Sequence, residues 1–234
     1  MFSPCADANY RLPQTEDITT LLATRDGDYA AACSLDFSKP PKYYDTFALR
    51  DISGAKAATQ IWPFFLSSVS RSALMSNAPV PVKSCWNGIT VFQADPFYRD
   101  PPLQFRGIQD SLAAHHLEGS ECCLIHTDNE LTASRGVWLN PNVRVAYNAE
   151  ADKVINPETG SWPSKQEKLK GIWSNRWARW TRFLSRFMES YVVNNRLRIW
   201  RYEVQKGTGQ VREEAPFCLI NEMQVLVENG WAHL

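Results

Sequence analysis

The chain has 234 residues, 44% hydrophobic and 21% charged, a globular composition rather than a disordered one and enough for one sizeable domain. Lys plus Arg equal Asp plus Glu at 25 each, so no global field calls for nucleic acid. No run reaches the roughly 18–20 apolar residues of a membrane span, and the opening MFSPCADANYRLPQTED lacks the charged lead and apolar core of a signal peptide.

In chain order, the first 14 residues read as irregular. Thr15 is placed to cap a helix running through Ala23, with Glu16 and Asp17 at its positive end. Tyr29 to Leu35 reads as a buried strand that ends at Asp36, followed by the Pro-bearing loop SKPPKYYD and the apolar, Pro-interrupted IWPFFLSSVSR. PVPVKS and ITVF read as two strands joined by Cys85-Trp86-Asn87-Gly88, where Asn-Gly signals either a hairpin or the corner of an irregular loop. Asp110 opens a helical stretch, DSLAAHHLEG, that Gly119 closes. Cys122 to His126 reads as a short apolar strand, and Val143 to Tyr147 as another after the turn Asn140-Pro141-Asn142.

Strands alternating with helices make residues 15–160 an α/β core around a mixed sheet. Gly160 and Pro163 mark the link to an extension, residues 161–234, expected to be a helix and a hairpin packed on the core. Within it Trp173, Trp177, Trp180, Leu184, Phe187 and Tyr191 recur at spacings of four and three, a helix stripe. Core packing is the ordinary reading of such a stripe, with Arg179, Arg182 and Arg186 on a solvated basic face; an anionic membrane surface or a nucleic acid is the alternative. From Ser161 to Arg201 there are ten Lys or Arg against two Glu. A strand pair around Lys206-Gly207-Thr208-Gly209 and a closing NEMQVLVENGW complete the chain.

The 6 Cys residues include no CxxC pair, which argues against a zinc ribbon or a redox dithiol. Their apolar neighbours favour free buried thiols, with one or two disulfides the alternative in an oxidising compartment.

Four clusters carry polar chemistry. Asp26-Gly27-Asp28 is a literal DxD, the pattern that holds Mn²⁺ or Mg²⁺ in sugar-nucleotide transferases; it precedes a strand instead of following one, and its setting is that of a tight polar turn. Asp36, at a strand exit, suits an acceptor hydroxyl or a metal, or caps the next turn. Trp86, Asn87 and Gly88 combine an aromatic face, an amide and a permissive backbone, a mixture that recognises sugars and equally builds a plain turn. Glu118 and Glu121 on one side of CCLI, with His126 and Asp128 on the other, suit a catalytic carboxylate and a weak metal site.

The blocks YAAACSLDF, YYDTFALRDISG, VPVKSCWNGITVF, PPLQFRGI, HLEGSECCLIHTDN and GVWLNPNVRVAYN, in that order, resemble the signature blocks of the fungal capsule-associated α-1,3-mannosyltransferases, and CLINEMQVLVENGWAHL resembles that family's C-terminal end. The resemblance implies a GT-A-like αβα sandwich and retaining transfer of mannose from GDP-mannose, with Mn²⁺ or Mg²⁺, to a mannoside or polysaccharide acceptor. It also implies membrane association in the secretory pathway or Golgi. In the family a βαβ region that binds the nucleotide precedes the TEDITTLL segment; MFSPCADANYRLPQ holds that place here, so the chain reads as lacking part of the N-terminal nucleotide-binding region. The implied roles are Asp36, Trp86 and Asn87 in the donor or acceptor crevice, Glu118 or Glu121 near the anomeric carbon, and His126 and Asp128 at the metal or diphosphate. The alternative function is a non-catalytic glycan-binding or scaffold protein, and less so a nucleic-acid binder through the basic tail.

Overall fold

The computed structural model describes residues 15–206 and 215–222. The expected irregular start, the strand pair at Lys206 to Gly209 beyond Lys206 itself, and most of the closing element lie outside them.

Helix α1 (Thr15–Leu22) leads through a turn into strand β1 (Ala31–Phe37), all seven residues of which are buried. A long loop then carries β2 (Arg50–Asp51), α2 (Ser68–Met75), β3 (Val80–Ser84) and β4 (Thr90–Phe92). Short helices α3 (Asp95–Tyr98) and α4 (Asp110–Ala113) precede β5 (Leu117–Gly119), α5 (Glu121–Asp128), α6 (Thr132–Arg135) and β6 (Val137–Ala146). Helices α7 (Ala149–Ile155), α8 (Lys165–Thr181) and α9 (Phe183–Lys206) follow, and β7 (Leu219–Asn221) is the last strand described.

Five strands form one sheet in the order β2-β3-β6-β1-β4. β1 runs parallel to β6 and antiparallel to β4, while β3 is antiparallel to both β2 and β6. The sheet is therefore mixed, with helices and loops over it, the α/β architecture expected from the alternation of elements. β1 lies inside and is covered on both faces, which is why it reads as a continuous apolar run. Period-two alternation sends Cys33, Leu35 and Phe37 into the larger core with Leu139, Val137 and Trp162. Ala32 goes to the opposite face, with Leu21, Val143 and Val145, and Ser34 and Asp36 share that face by the same alternation.

One local alternative is decided and two readings are corrected. β3 and β4 do not pair with each other, so Cys85-Trp86-Asn87-Gly88 is the corner of an irregular loop and not a hairpin turn. Cys122 to His126 belongs to helix α5, not to a strand; four consecutive buried residues, Cys123 to His126, mimic a strand because this helix is enclosed on all sides. The stretch from Asp110 divides into α4, with Gln109 as its N-cap, and strand β5.

Cysteine pairing is also resolved against the free-thiol reading. Cys33–Cys85 joins β1 to the residue after β3, and Cys123–Cys218 joins α5 to the segment before β7. Cys122 is outside both disulfides.

The extension is two helices. A capping box at Ser164 and Glu167 starts α8, and its buried face is Gly171, Asn175 and Ala178. A Cβ on Gly171 would lie 1.9 Å from the Trp62 carbonyl oxygen, so only glycine lets α8 approach this closely. Asn175 Nδ2 donates to the Phe65 carbonyl at 3.3 Å. α9 is anchored at its far end, where Val193, Leu197 and Trp200 join Leu112, Leu117 and Leu219 in a separate apolar cluster over the small β5–β7 sheet. The aromatic stripe between these anchors faces outward, against the expectation of core packing: Trp177 and Trp180 are 64% and 77% exposed. Periodicity identifies a two-faced helix, and here the small and polar face is the one that packs.

Candidate functional site

The carboxyl ends of the parallel pair β1 and β6 come together at Asp36 and Val145, which are in register. Ligand crevices of open α/β sheets lie at this end of parallel strands. The loop from Cys85 to Ile89 folds over β1 there, held by Ser34: its Oγ donates to the Asn87 carbonyl at 2.6 Å and accepts from the Ile89 amide at 3.0 Å. Gly88, at φ +68°, is pressed against the strand, and a Cβ would stand 2.9 Å from Ser34 Oγ, 3.0 Å from Val145 Cβ and 3.2 Å from Asp36 Cβ. The Asn-Gly pair thus serves close backbone approach rather than a hairpin.

This folding-over places Asn87 directly on Asp36. Asn87 Nδ2 donates to Asp36 Oδ1 at 2.9 Å and to the Asp45 carbonyl at 3.1 Å. The Asp45 amide donates to the same Asp36 oxygen at 3.3 Å, and the Tyr147 hydroxyl donates to Asp36 Oδ2 at 3.0 Å. Asp45 Oδ1 accepts from the amides of Phe47 and Ala48 at 2.8 and 3.1 Å, which holds a second carboxylate beside the first. Burial, and after it the charge of Asp45, push Asp36 up to about 6 against the opposing hydrogen bonds. A carboxyl poised there exchanges its proton close to neutrality.

Asp36 and Asn87 are themselves buried, so the surface of this site is formed by their half-buried and exposed neighbours. Tyr44 and Tyr147 lie side by side with ring centroids 4.8 Å apart. Trp86, half-buried, meets Phe105 edge-on at 5.3 Å and Phe92 at 6.0 Å. Indole and phenol faces of this kind take the C–H side of sugars.

His126 and Asp128 stand on α5 behind this aromatic group. His126 stacks on Phe92 at 5.4 Å and its Nε2 lies 2.8 Å from the Cys85 carbonyl. A carbonyl only accepts, so Nε2 carries the proton, and Nδ1 is buried without a partner. Burial draws His126 down to about 4, which keeps the ring neutral. Asp128 accepts from Arg106 Nε at 2.5 Å and Nη2 at 3.0 Å, a bidentate pair. Glu118 on β5 and Glu121 in the first turn of α5 are solvent-exposed, and among the described residues their side chains form no hydrogen bond or ion pair. The structure therefore gathers Asp36, Trp86, Asn87, Gly88 and His126 around one loop, and leaves the two glutamates unengaged.

Asp26 and Asp28 sit before β1, at the opposite end of the parallel pair from Asp36. Arg25, Asp26 and Gly27 take positive φ values of 54°, 57° and 83°, and Asp28 is 3.8 Å from Arg135. This is the tight polar turn that the sequence suggested. Among the described residues no three of His, Cys, Asp and Glu converge as a cation site. A closed protein cage for Mn²⁺ or Mg²⁺ is thus not formed by the described side chains.

Asp45 and Tyr147 complete the centre, and neither is assigned a specific role by its local sequence. Their partner Asp36 is respectively 9 and 111 residues away, and no local pattern signals a contact of the second kind. A cleft of about 390 Å³, lined by Trp62, Arg144, Trp162 and Lys168 among others, lies elsewhere. Arg144 pairs with Leu35, so it opens on the sheet face opposite Asp36. Among the described residues no helix is long and apolar enough to cross a membrane.

No curated protein and no solved structure matches the chain. The family model described as Cryptococcal mannosyltransferase 1 matches residues 12–128, half of the chain, and this span holds β1, the Asp36–Asn87 pair, Trp86 and α5. On that match the chain belongs to the Cryptococcal mannosyltransferase 1 family.

Proposed function

We propose that the chain carries the fold and acceptor side of an α-1,3-mannosyltransferase of GT-A type, using GDP-mannose as donor and a mannose-containing glycan as acceptor. The observation that carries the reading is the family match over residues 12–128, whose span contains the buried Asp36–Asn87 centre. In this reading Trp86, Tyr44 and Tyr147 receive sugar rings, while Asp36 and Asn87 orient the loop and Tyr147 beneath them. Glu118 or Glu121, exposed and unengaged, is the carboxylate that meets the anomeric carbon.

The transfer breaks the bond between the mannose anomeric carbon and the diphosphate oxygen, and GDP leaves with the electron pair. A new bond forms from an acceptor hydroxyl to that carbon, and the hydroxyl proton passes to the departing diphosphate oxygen. A Mn²⁺ or Mg²⁺ requirement belongs to the proposal: such cations are commonly held by one or two carboxylates together with substrate phosphates, a mode that needs no protein cage. The two disulfides support maturation in an oxidising, luminal compartment. A non-catalytic glycan-binding role is the second reading, in which the aromatic neighbours Trp86, Tyr44 and Tyr147 hold a sugar ring without turnover.

Calorimetric titration of the folded chain with GDP-mannose and Mn²⁺, with GDP-glucose as control, separates the two. Metal-dependent binding selective for GDP-mannose supports the transferase and leads to a transfer assay on a mannoside. Binding of a mannoside without any donor binding supports the second reading and overturns the first.

A further inference from the structure

The outward stripe on α8 and α9 is continuous and large. Trp173, Trp177, Trp180, Leu184, Phe187 and Tyr191 are each between 57% and 77% exposed, and their spacing puts them on one line about 27 Å long at 1.5 Å per residue. Phe183, at 69%, and Met188, at 50%, widen it. Apolar patches of this extent mark interaction surfaces in folded proteins.

Its charge is one-sided. Residues 168–188 contain six Lys or Arg and no Asp or Glu. Arg176 lies over the Trp173 ring at 5.0 Å, and among the described residues no carboxylate pairs with Arg176, Arg179, Arg182 or Arg186. Arg179 Nε is buried without any acceptor. Arg182 and Arg179 both act to lower Arg186, and Arg179 likewise lowers Arg71, in each case after burial. Arg179 and Arg182 thus lie close enough to Arg186 to repel it at the margin of an apolar ridge, an arrangement that an external anion relieves.

We propose that this ridge docks onto an anionic lipid bilayer, lying in the headgroup plane with its aromatic and aliphatic side chains inserted and its guanidiniums on lipid phosphates. The strap is built for this posture: Gly171 and Asn175 fix one end, Trp200 and Leu197 the other, and the middle presents Trp and Phe beside Arg, the composition of interfacial helices. A second copy of the chain suits the ridge less, since two such surfaces would bring six cations against six. A nucleic acid would use the arginines and the ring faces, but leaves Leu184 and Met188 without a role.

The test is co-sedimentation of the full chain with phosphatidylcholine vesicles and with mixed phosphatidylcholine–phosphatidylserine vesicles, read together with tryptophan emission. Binding to the mixed vesicles only, with a blue shift and a loss on raising salt, is expected. The exposed double substitutions Trp177→Ser with Trp180→Ser, and Arg176→Gln with Arg182→Gln, should each weaken binding at least about tenfold while leaving the circular dichroism melt unchanged. Vesicle binding that survives both substitutions overturns the proposal, as does no binding by a chain with an intact melt. A concentration-dependent dimer abolished by the Trp pair assigns the ridge to a second copy instead, and preference for a single-stranded oligonucleotide over vesicles assigns it to nucleic acid.

Discussion

Asn87 donates its side-chain amide to the Asp36 carboxylate at 2.9 Å, and its own Oδ1 is buried without a partner. The amide is thus held by its donor end alone, between Asp36 and the Asp45 carbonyl. Asn87→Asp removes both donors and sets a third carboxylate against two. Breaking a buried polar pair in this way costs roughly 3–5 kcal/mol, and urea unfolding at neutral pH measures it. Asn87→Ala should cost about 1–3 kcal/mol, the penalty of an acceptor left short of a donor. Equal stabilities for the two variants would overturn the added charge penalty.

Asp36 and His126 give stability opposite slopes in one pH window. The folded Asp36 titrates at about 6 against an ordinary 3.8, so its contribution is complete below about 4 and is lost as pH rises to 6. His126, drawn from 6.5 to about 4, contributes fully above 6.5, and that contribution is lost as pH falls towards 4. Each interval corresponds to on the order of 3 kcal/mol, so the two largely cancel in the native chain. Asp36→Asn keeps the shape and the acceptor for Asn87 while removing the ionisation. It should raise stability at pH 7 relative to pH 4 and leave the acid loss from His126 uncovered. Denaturant midpoints across this range in both proteins check the sign.

Much of the architecture is legible in the chain because it rests on local pattern. β1 shows itself as an apolar run, which continues one residue past the Asp36 expected to end it, and the helix at Thr15 by its acidic first turn and amphipathic spacing. Elements whose state depends on enclosure are not. CCLI is short and apolar, and periodicity does not distinguish a strand from a helix buried all round; its place between β3 and the Cys218 segment decides for the helix. The stripe from Trp173 to Tyr191 shows a helix but not which side packs, because the packing side is defined by the close approach of Gly171 to the Trp62 carbonyl. In the site, Asp36, Trp86 and Asn87 stand out by type and position, whereas Tyr147 enters only through the register of β6 on β1.

The disulfides close loops of 52 and 95 residues. Chain-entropy reasoning gives about 4 kcal/mol for the first and nearly 5 kcal/mol for the second. Cys33–Cys85 fastens the loop that carries Trp86 and Asn87 to β1, so Cys33→Ala with Cys85→Ala should lower both stability and sugar binding. Cys123→Ala with Cys218→Ala should release the β7 segment from α5 and lower stability alone. Thermal melts of the two paired variants, each with a mannoside titration, separate these outcomes.

Gly88→Ala tests the close approach itself. The left-handed φ of +68° is strained for alanine, and its Cβ would press on Ser34, Val145 and Asp36 within 3.2 Å. A loss of about 1–3 kcal/mol is expected; Ser34→Gly is itself destabilising because it removes two buried hydrogen bonds, but in that background Gly88→Ala should cost less, since one of the three contacts is relieved. Additive costs in that double-mutant cycle would mean that the clash with Ser34 is not the source.

Glu118 and Glu121 allow chemistry to be read apart from folding. Both side chains are exposed and unengaged, so Glu118→Gln and Glu121→Gln should each shift stability by no more than about 0.5 kcal/mol; Glu121, in the first turn of α5, contributes a helix-dipole interaction of that size. Asp36→Asn, in contrast, alters the pH profile of stability. If one glutamate meets the anomeric carbon, its Gln variant loses transfer by at least about a hundredfold with an unchanged melt and unchanged donor binding. Full transfer by both variants removes the glutamates from the chemistry and returns the search for the reacting carboxylate to Asp45, the half-buried acid whose amide bonds Asp36.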